Sequence, residues 1–479
     1  MNNDLQLVVG IEMHCELKSN AKAFSKGING FSDTANVYVS PVDMAFPGTL
    51  PIVNKKCVGH AIKMAHILNC QIADVMQFDR KNYYYPDLPK GYQITQCTNP
   101  VGVNGKLEIP VDDKALEVLI HDIHLEEDSA SLDHFAKMTT IDYNRAGVPL
   151  LEIVTEPCFS STKEVIAFLE YIRDCYRYCD ISDADTKKGQ IRCDVNINLK
   201  KGGKYVTPRV EVKNVNGFQN IEAAIKYEEE RQKEAYLNNK VDELVQETRR
   251  FDEDTNTTIS MRTKEDAIDY KYFLDPNIPP YRLEKTWIEE LIKEIPELPF
   301  ERKKHYMNDL GLNDYDASIL IKDKNIADYF EKCVIIGIDS KVAANWITVN
   351  IVTELNKTGN SINDFYITPE MLKQITDAIK SSTLSSKQAK EVFAKTLENK
   401  KEPKEFISKD NAQISDEETL RTMIKEIIAN NKEQQEAYLN GRSNLFDYFV
   451  GQVMKQTRGK ANPVLTKQIL KEELNKIVH

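Results

Sequence analysis

Hydrophobic and polar residues alternate along most of the first 220 positions, with the period of two that indicates β-strands. Turns rich in Gly and Pro, such as Phe46 to Gly48, interrupt the alternation. After about residue 285 the apolar positions recur at the spacings of a helix, as at Ile319, Ile326 and Tyr329. The pattern predicts an α+β protein whose β-rich first part is followed by all-helical parts.

Changes in composition predict where the domains end. A segment rich in Pro, from Pro276 to Pro280, precedes the first helical sequence, and Glu398 to Ser415 is dense in Lys, Glu and Asn. A length of 479 residues suggests about three domains, since a domain usually has roughly 150 residues. We therefore predict domains at residues 1–290, 291–405 and 406–479.

Composition narrows the class of protein. The hydrophobic share is 41% and the charged share 29%, and no apolar run approaches the roughly 20 residues that span a membrane. The first residues resemble no export or targeting signal, and nine cysteines without a CxxC pair are typical of reduced thiols. A net charge of −11 argues against nonspecific coating of nucleic acid. We expect a cytoplasmic protein without a membrane partner.

Charged side chains share one face of several predicted strands. The alternation from Val8 to Leu17 places Glu12, His14 and Glu16 opposite apolar residues, and Leu150 to Glu156 repeats the pattern around Glu152. The run from His121 to Asp128, which includes Glu126 and Glu127, is the most acidic strand-like segment. Such a concentration of carboxylates needs something to offset their repulsion. The same pattern recurs around Asp194 and Lys213.

Two interpretations of this acidic face remain open. A divalent cation such as Mg²⁺ would offset the repulsion, and carboxylates that hold Mg²⁺ beside phosphates are typical of phosphoryl transfer. Alternatively the carboxylates belong to a solvated face of an antiparallel sheet, which normally alternates in this way. His14 and His124 are individually ambiguous as ligands, because imidazole suits zinc better than magnesium.

Two basic segments are candidates for phosphate or RNA contacts. The run from Asp79 to Lys90 combines Arg80, Lys81 and Lys90 with aromatic residues that include Tyr83 and Tyr84, a composition suited to stacking on a base, although surface packing explains it equally well. Residues 441–479 hold seven Lys/Arg against three Asp/Glu. This basic segment could grip RNA phosphates or be a plain solvated surface. Its three candidate RNA contacts are Lys455, Arg458 and Lys460.

No P-loop, dinucleotide, zincin or hydrolase motif occurs, but several long segments resemble one family, the B subunits of the tRNA-dependent amidotransferases. The resemblance covers essentially the whole first domain and also the last segment. The segments that carry it are Gly10 to Leu17, Phe46 to Pro51, Asp79 to Lys90, His124 to Asp128, Asp142 to Pro157, Cys193 to Asn198, Glu211 to Asn216, Ser260 to Glu265 and Val450 to Pro463.

The resemblance implies a cradle-like catalytic domain, related in fold to glutamine synthetase and guanidino kinases, then a helical domain and a tail that approaches tRNA. It implies ATP-dependent conversion of misacylated Glu-tRNA(Gln) or Asp-tRNA(Asn) to the amidated form. The implied partners are an A subunit that releases ammonia from glutamine and a small C subunit. Two rivals remain: the archaeal-type E subunit, which carries an inserted domain, and a noncatalytic tRNA-binding scaffold.

We expect ATP and Mg²⁺ at the acidic face. The residues expected to hold the metal are Glu12, His14, Glu127 and Glu152. The expected catalytic residues are Glu126, Glu127, Lys81 and Lys90, and the expected nucleotide contacts are Arg80, Tyr83, Tyr84, Asp194 and Lys213.

The sequence departs from the family's usual pattern in two places. Paired cysteines that many relatives carry around Ser25 to Gly30 and Ser40 to Ala45 are replaced by other residues, so a structural zinc is not expected. Lys271 stands where the family usually has an arginine, which replaces a planar guanidinium with a point charge.

Overall fold

The computed structural model describes residues 5–112, 114–135, 137–263, 269–407, 417–439, 442, 444–457 and 461–478, except the side chains of residues 262, 263 and 478. The chain forms two compact units, Met1–Leu298 and Pro299–His479. The second unit contains two separate hydrophobic clusters, one between Tyr306 and Phe393 and one between Leu420 and Leu474. The division into three domains stays a prediction.

The first unit is built on a ten-stranded sheet in the order β15-β14-β13-β11-β1-β10-β7-β6-β2, with β12 paired to β11. Neighbouring strands are antiparallel except β13 and β14, which run parallel. In chain order the strands are β1 (Leu5–Glu16), β2 (Gln71–Ile72), β3 (Val75–Met76), β4 (Asp79–Asn82), β5 (Tyr92–Thr95), β6 (Gly102–Val111), β7 (Lys114–Glu127), β8 (Ser131–Phe135), β9 (Met138–Asp142), β10 (Pro149–Thr155), β11 (Ile191–Lys201), β12 (Lys204–Tyr205), β13 (Val210–Val215), β14 (Glu247–Asp252), β15 (Thr257–Thr263), β16 (Phe273–Leu274) and β17 (Tyr281–Arg282).

Among its described residues, the first unit has four α-helices: α1 (Lys55–Ile67), α2 (Thr162–Tyr178), α3 (Phe218–Leu237) and α4 (Lys285–Lys293). α1, α2 and α3 pack on the apolar face of the sheet, and α4 packs on α1. Each of α1 and α2 begins at a polar N-cap, Asn54 and Ser161, whose side chain accepts a backbone N–H. Gly105 allows β6 to lie close to the end of α1, since a Cβ there would come within 2.7 Å of the Leu68 carbonyl.

The alternation predicted for β1 is confirmed. Ile11, Met13 and Cys15 are fully buried in the core, whereas His14 on the other face is half-buried. Because the helices cover the apolar face of the sheet, the polar side chains of β1 and its neighbours collect on the opposite face. This polar face is the foundation of the site described below.

The second unit is helical. Its first part centres on Tyr306 and Phe330, whose rings pack edge to face, and a π-helical turn, Trp346–Ile351, joins two of its helices. No helix among the described residues is both long and apolar enough to cross a membrane. The helices are α5 (Pro299–Asn308), α6 (Asp314–Leu320), α7 (Lys324–Ile335), α8 (Ser340–Asn345), α9 (Val352–Thr358), α10 (Pro369–Lys380), α11 (Ser386–Asn399), α12 (Glu417–Asn430), α13 (Lys432–Leu439), α14 (Leu445–Gln456) and α15 (Pro463–Val478).

Candidate active site

Five adjacent strands bring their polar residues to one face of the main sheet. His14 on β1 lies opposite Glu152 on β10 and Arg192 on β11, and Glu152 in turn lies opposite His124 on β7. Residues directly opposite each other on antiparallel strands have Cβ atoms roughly 5 Å apart, so their side chains interact. The register therefore assembles two groups of possible metal ligands that are far apart in the sequence.

The first group, the histidine cluster, consists of His14, Glu126 and Glu152. His14 Nε2 lies 3.2 Å from Glu152 Oε2 and 3.5 Å from Glu126 Oε1. A second imidazole supports the cluster, because His124 Nε2 lies 2.9 Å from the same oxygen of Glu152 while its Nδ1 lies 2.6 Å from Asp122 Oδ1. The Glu152 carboxylate is thus held between two imidazoles.

Charge coupling within the histidine cluster shifts the pKa of each member. Burial lowers the pKa of His14, but Glu152 and Glu126 outweigh it and raise that pKa to about 9. Burial alone would raise the pKa of Glu152, whereas the two imidazoles bring it well below its usual range. Burial and the charge of Glu152 both raise the pKa of Glu126. Loss of a proton from His14 would turn its Nε2 into a ligand for a divalent cation.

The second group, the carboxylate cluster, consists of Glu12, Asp194 and Glu211. Lys213 neutralises it, with Nζ 2.8 Å from Asp194 Oδ2 and 2.8 Å from Glu211 Oε1. Asn196 donates a hydrogen bond of 2.9 Å from Nδ2 to Glu12 Oε1. Burial lowers the pKa of Lys213, but Asp194 and Glu211 outweigh it and leave that pKa raised. The cluster therefore holds a permanent cation of its own.

Both clusters fit a divalent cation. Each can direct three ligand atoms that lie within 4.8 Å of one another. Carboxylate oxygens suit Mg²⁺, which usually keeps several waters and binds phosphate oxygens together with one or two carboxylates. Three protein ligands leave coordination positions for such oxygens. Of the predicted metal ligands, the structure brings Glu12, His14 and Glu152 to these clusters.

Glu127, by contrast, points away from both clusters. Consecutive residues of a strand face opposite sides of the sheet, so Glu126 and Glu127 cannot both join the polar face. Glu127 lies 2.6 Å from Lys90 Nζ, and its Oε1 accepts a hydrogen bond of 2.9 Å from the backbone N–H of Ile94. The expectation that Glu127 ligates the metal is therefore not supported, and Lys90 lies with Glu127 on the other side of β7.

Two predicted nucleotide contacts, Arg80 and Tyr84, differ in their surroundings, and their nucleotide-binding roles stay predictions. Arg80 Nε lies 2.8 Å from Oδ2 of the buried Asp275, and its guanidinium lies 4.0 Å from the centre of the Tyr92 ring. These contacts join β4, β5 and the segment after β16. Tyr84 is 99% exposed, so its ring projects into solvent rather than into the polar face.

Lys81 does lie near the histidine cluster. Burial lowers the pKa of Lys81, but nearby charges, with Glu126 the largest among them, raise it overall. Its Nζ lies 5.0 Å from the centre of the Tyr270 ring, which in turn packs edge to face against Tyr83 and Tyr272. Lys81 is thus a cation at the rim of the cluster, surrounded by aromatic rings.

The remaining predicted residues lie elsewhere. Lys271 adopts a left-handed backbone conformation with φ of 44°, and its carbonyl accepts a hydrogen bond of 2.7 Å from Asn82. Lys455 is exposed on α14. Arg458 and Lys460 lie outside the described residues.

Several site residues were not assigned from the sequence. Glu211 and Arg192 stand on strands whose alternation is visible, but their place beside Glu12 and His14 follows from pairing between distant strands. Asp122 belongs to the acidic run, and its role as the partner of His124 follows from the period of two.

A sheet face that combines these clusters with nearby lysines is typical of enzymes that transfer phosphoryl groups with the help of divalent cations. Residues 7–289 match the family model described as the GatB/GatE catalytic domain, and residues 328–474 match the one described as the GatB domain. The chain belongs to the GatB family.

Its relatives match over almost their whole length. A protein of Persephonella marina, named as the B subunit of aspartyl/glutamyl-tRNA(Asn/Gln) amidotransferase, is 43% identical over 474 residues, which cover 98% of this chain and 100% of the relative. A protein of the same name from Oceanobacillus iheyensis is 41% identical, over 98% of this chain and 99% of the relative. Another, from Bacillus thuringiensis, is 42% identical over 99% of this chain and 100% of the relative.

Proposed function

We propose that this chain is the B subunit of an aspartyl/glutamyl-tRNA amidotransferase. It would use ATP to activate the side-chain carboxylate of a glutamyl or aspartyl group misattached to tRNA(Gln) or tRNA(Asn), and ammonia would then convert the activated group to the amide. The observation that carries the proposal is the pair of ligand clusters on one sheet face, within the segment that matches the catalytic-domain family. The names of the relatives supply the substrate class.

The two clusters are the proposed metal sites. His14, Glu126 and Glu152 would hold one Mg²⁺, and Glu12, Asp194 and Glu211 a second. Bound there, the metal would neutralise the negative charge of the ATP phosphate oxygens. The histidine cluster is positioned by His124, because an imidazole shared with Glu152 fixes the orientation of that carboxylate.

Lys81 and Lys90 are proposed to act on different sides of β7. Lys81 lies near Glu126 and would attract the phosphates of the nucleotide, while the surrounding rings of Tyr83 and Tyr270 would exclude water. The Lys90–Glu127 pair is buried on the opposite side, where its charges would line a path for ammonia. Exclusion of water matters because water competes with ammonia for the activated carboxyl group.

The proposal also includes partner subunits and a cellular location. Ammonia would come from a glutaminase A subunit, and a small C subunit would bind both. The first unit would have the cradle-like fold of the glutamine synthetase and guanidino kinase relatives. The tail would contact tRNA through Lys455, Arg458 and Lys460. Because the substrate is aminoacylated tRNA, we propose that the protein works in the cytoplasm.

The test is tRNA-dependent ATP cleavage by this chain in complex with its A and C partners. We expect cleavage and amide formation with glutamyl-tRNA(Gln), aspartyl-tRNA(Asn) or both. His14→Ala and Glu126→Gln should reduce cleavage at least about 100-fold while tRNA binding is retained. Matched controls are His66→Ala, at the exposed end of α1, and Glu117→Gln, in an exposed ion pair with Lys106; both should keep full activity.

A further variant distinguishes the proposed roles of the residues on the two sides of β7. Glu127→Gln should leave ATP cleavage largely intact and slow amide formation from glutamine, because it changes only the proposed ammonia path. Full ATP cleavage by both His14→Ala and Glu126→Gln would exclude the metal assignment. If tRNA bound normally but no variant or wild-type complex cleaved ATP, the chain would be a tRNA-binding scaffold.

A further inference from the structure

One cation of the polar face has no role in the function proposed above. Arg192 on β11 lies opposite His14 of the histidine cluster, and two residues further along the same face Asp194 of the carboxylate cluster lies opposite Glu12. Side chains two positions apart on a strand point to the same face. Arg192 therefore borders the histidine cluster and shares its strand face with Asp194 of the carboxylate cluster.

The Arg192 guanidinium keeps most of its hydrogen-bonding capacity. Its Nη2 lies 2.6 Å from Asp128 Oδ2, and among the residues that the structure describes no other acceptor pairs with it. A guanidinium has five N–H donors, so several remain for a ligand. The Arg192 side chain is 19% exposed, which leaves it accessible from the polar face.

Asp128 is itself held rigidly. Its Oδ1 accepts a hydrogen bond of 2.9 Å from the backbone N–H of Ser129, and its backbone pairs with Gly147 and Val148. Arg145 Nε lies 3.4 Å from the same Oδ2 that binds Arg192. Arg145 is anchored in turn, because its guanidinium donates to the carbonyls of Ser129 and Ala130 at 2.9 and 3.1 Å.

We propose that Arg192 is a catalytic residue whose guanidinium contacts the γ-phosphoryl group of ATP during its transfer, and that Asp128 and Arg145 are the residues that position it. The inference rests on the proposed function. A planar guanidinium matches the spacing of phosphate oxygens, whereas an ammonium acts as a point charge. Arg192 lies opposite His14, and Glu126 is among its charged neighbours, so its free donors lie beside the histidine cluster, where phosphate oxygens would bind.

The phosphoryl transfer that Arg192 would assist requires no proton transfer. A bond forms between phosphorus and an oxygen of the substrate carboxylate, while the bond between phosphorus and the bridging oxygen of ADP breaks. ADP leaves with the electron pair of that bond. Arg192 stays charged throughout, since Asp128 raises its pKa further.

A structural alternative is that Arg192 only balances the charges of its acidic neighbours. The charges of Asp128 and Glu16 act most strongly on Arg192, and burial together with Asp128 raises the pKa of Glu16 to about 7. If balance were the whole role, removing one negative charge together with the positive charge of Arg192 would restore activity. A contact with phosphate cannot be restored in that way.

The first measurement is equilibrium binding of nucleotides to the full complex with Mg²⁺ present. We expect Arg192→Gln to weaken binding of the β,γ-imido analogue of ATP about tenfold and that of ADP less than twofold, because only the analogue has a γ-phosphoryl group. Arg192→Lys should recover part of the affinity for the analogue. The control Arg173→Gln removes a guanidinium that is 24% exposed and paired with Asp174 on α2, and it should change neither affinity.

The second measurement is the rate of tRNA-dependent ATP cleavage. Arg192→Gln should reduce it by about 10² to 10³, as removal of a donor to a developing negative charge does elsewhere. The double variant Arg192→Gln/Asp128→Asn should stay as slow as Arg192→Gln. Binding of Mn²⁺ alone, measured in parallel, should be unchanged in Arg192→Gln, which shows that the two clusters still form.

Three results would overturn the proposal: equal losses of affinity for the analogue and for ADP, recovery of the rate in the double variant, or full activity of Arg192→Gln. These outcomes differ from a failure of the proposed function. In that case the wild-type complex itself would not cleave ATP in response to aminoacylated tRNA. If the wild type is active and Glu126→Gln is inactive, a fully active Arg192→Gln removes only the role of Arg192.

Discussion

The histidine cluster and the carboxylate cluster lie on neighbouring strands of the same face, yet different cations neutralise them. Two imidazoles balance Glu152 in the first, and the Lys213 ammonium balances Asp194 and Glu211 in the second. An imidazole that loses its proton becomes a metal ligand, whereas the ammonium of Lys213 must be displaced before a metal can bind. We therefore expect the histidine cluster and the carboxylate cluster to bind a metal with different affinities.

The largest effect is expected at Glu152, the carboxylate that both imidazoles share. Glu152→Gln removes the negative charge between His14 and His124, and we expect the rate of tRNA-dependent ATP cleavage to fall by about 10³. Binding of Mn²⁺ at the histidine cluster should be lost, while the carboxylate cluster keeps its affinity. Glu156→Gln, which affects an exposed glutamate on the same segment, is the matched control. Equal losses of metal at both clusters would contradict their independence.

A smaller effect of opposite sign is expected at Lys213. Lys213→Met removes the competing ammonium, so the carboxylate cluster should bind Mn²⁺ on the order of tenfold more tightly, a difference of about 1.4 kcal/mol. Titration of the full-length chain followed by electron paramagnetic resonance measures this change. Lys226→Met, which breaks an exposed ion pair with Glu222, should have no effect. Weaker binding in Lys213→Met would show that the ammonium supports the metal site rather than competing with it.

The smallest effect is expected at Thr248, which acts on the carboxylate cluster alone. Its Oγ1 donates a hydrogen bond of 2.9 Å to Glu211 Oε2. Thr248→Val removes the hydroxyl at nearly constant shape, and the affinity of that cluster for Mn²⁺ should fall about fivefold, as loss of one such bond of about 1 kcal/mol implies. Thr248→Ser keeps the hydroxyl and should behave as the wild type. If the affinity of the histidine cluster for Mn²⁺ also fell, β14 would support the whole polar face of the sheet.

The parts of the site that lie within one strand could be predicted from the sequence. The period of two identified Glu12 and His14 on β1 and Glu152 on β10, because each strand alternates regularly against a buried core. The same rule, applied strictly, separates Glu126 from Glu127. The run from His121 to Asp128 has the composition of a single acidic segment, but Glu126 and Glu127 face opposite sides of the sheet.

Contacts between distant segments could not be predicted in this way. Arg80 has the composition of a phosphate contact, but its partner Asp275 lies 195 residues further along the chain. Lys213 was expected to bind a nucleotide, and its ion pairs with Asp194 and Glu211 depend on the register between β11 and β13. Local patterns carry no information about which strands become neighbours, so these roles require the three-dimensional structure.

The strand order also affects how the chain folds during its synthesis. β1 precedes both of its neighbours in the chain, yet it lies in the interior of the sheet between β10 and β11, which begin at Pro149 and Ile191. At roughly 5 to 20 residues per second, a ribosome needs on the order of ten seconds to produce both neighbours. Until then at least one edge of β1 lacks its native partner, a condition that favours aggregation. We therefore expect the nascent chain to bind chaperones that recognise extended apolar segments.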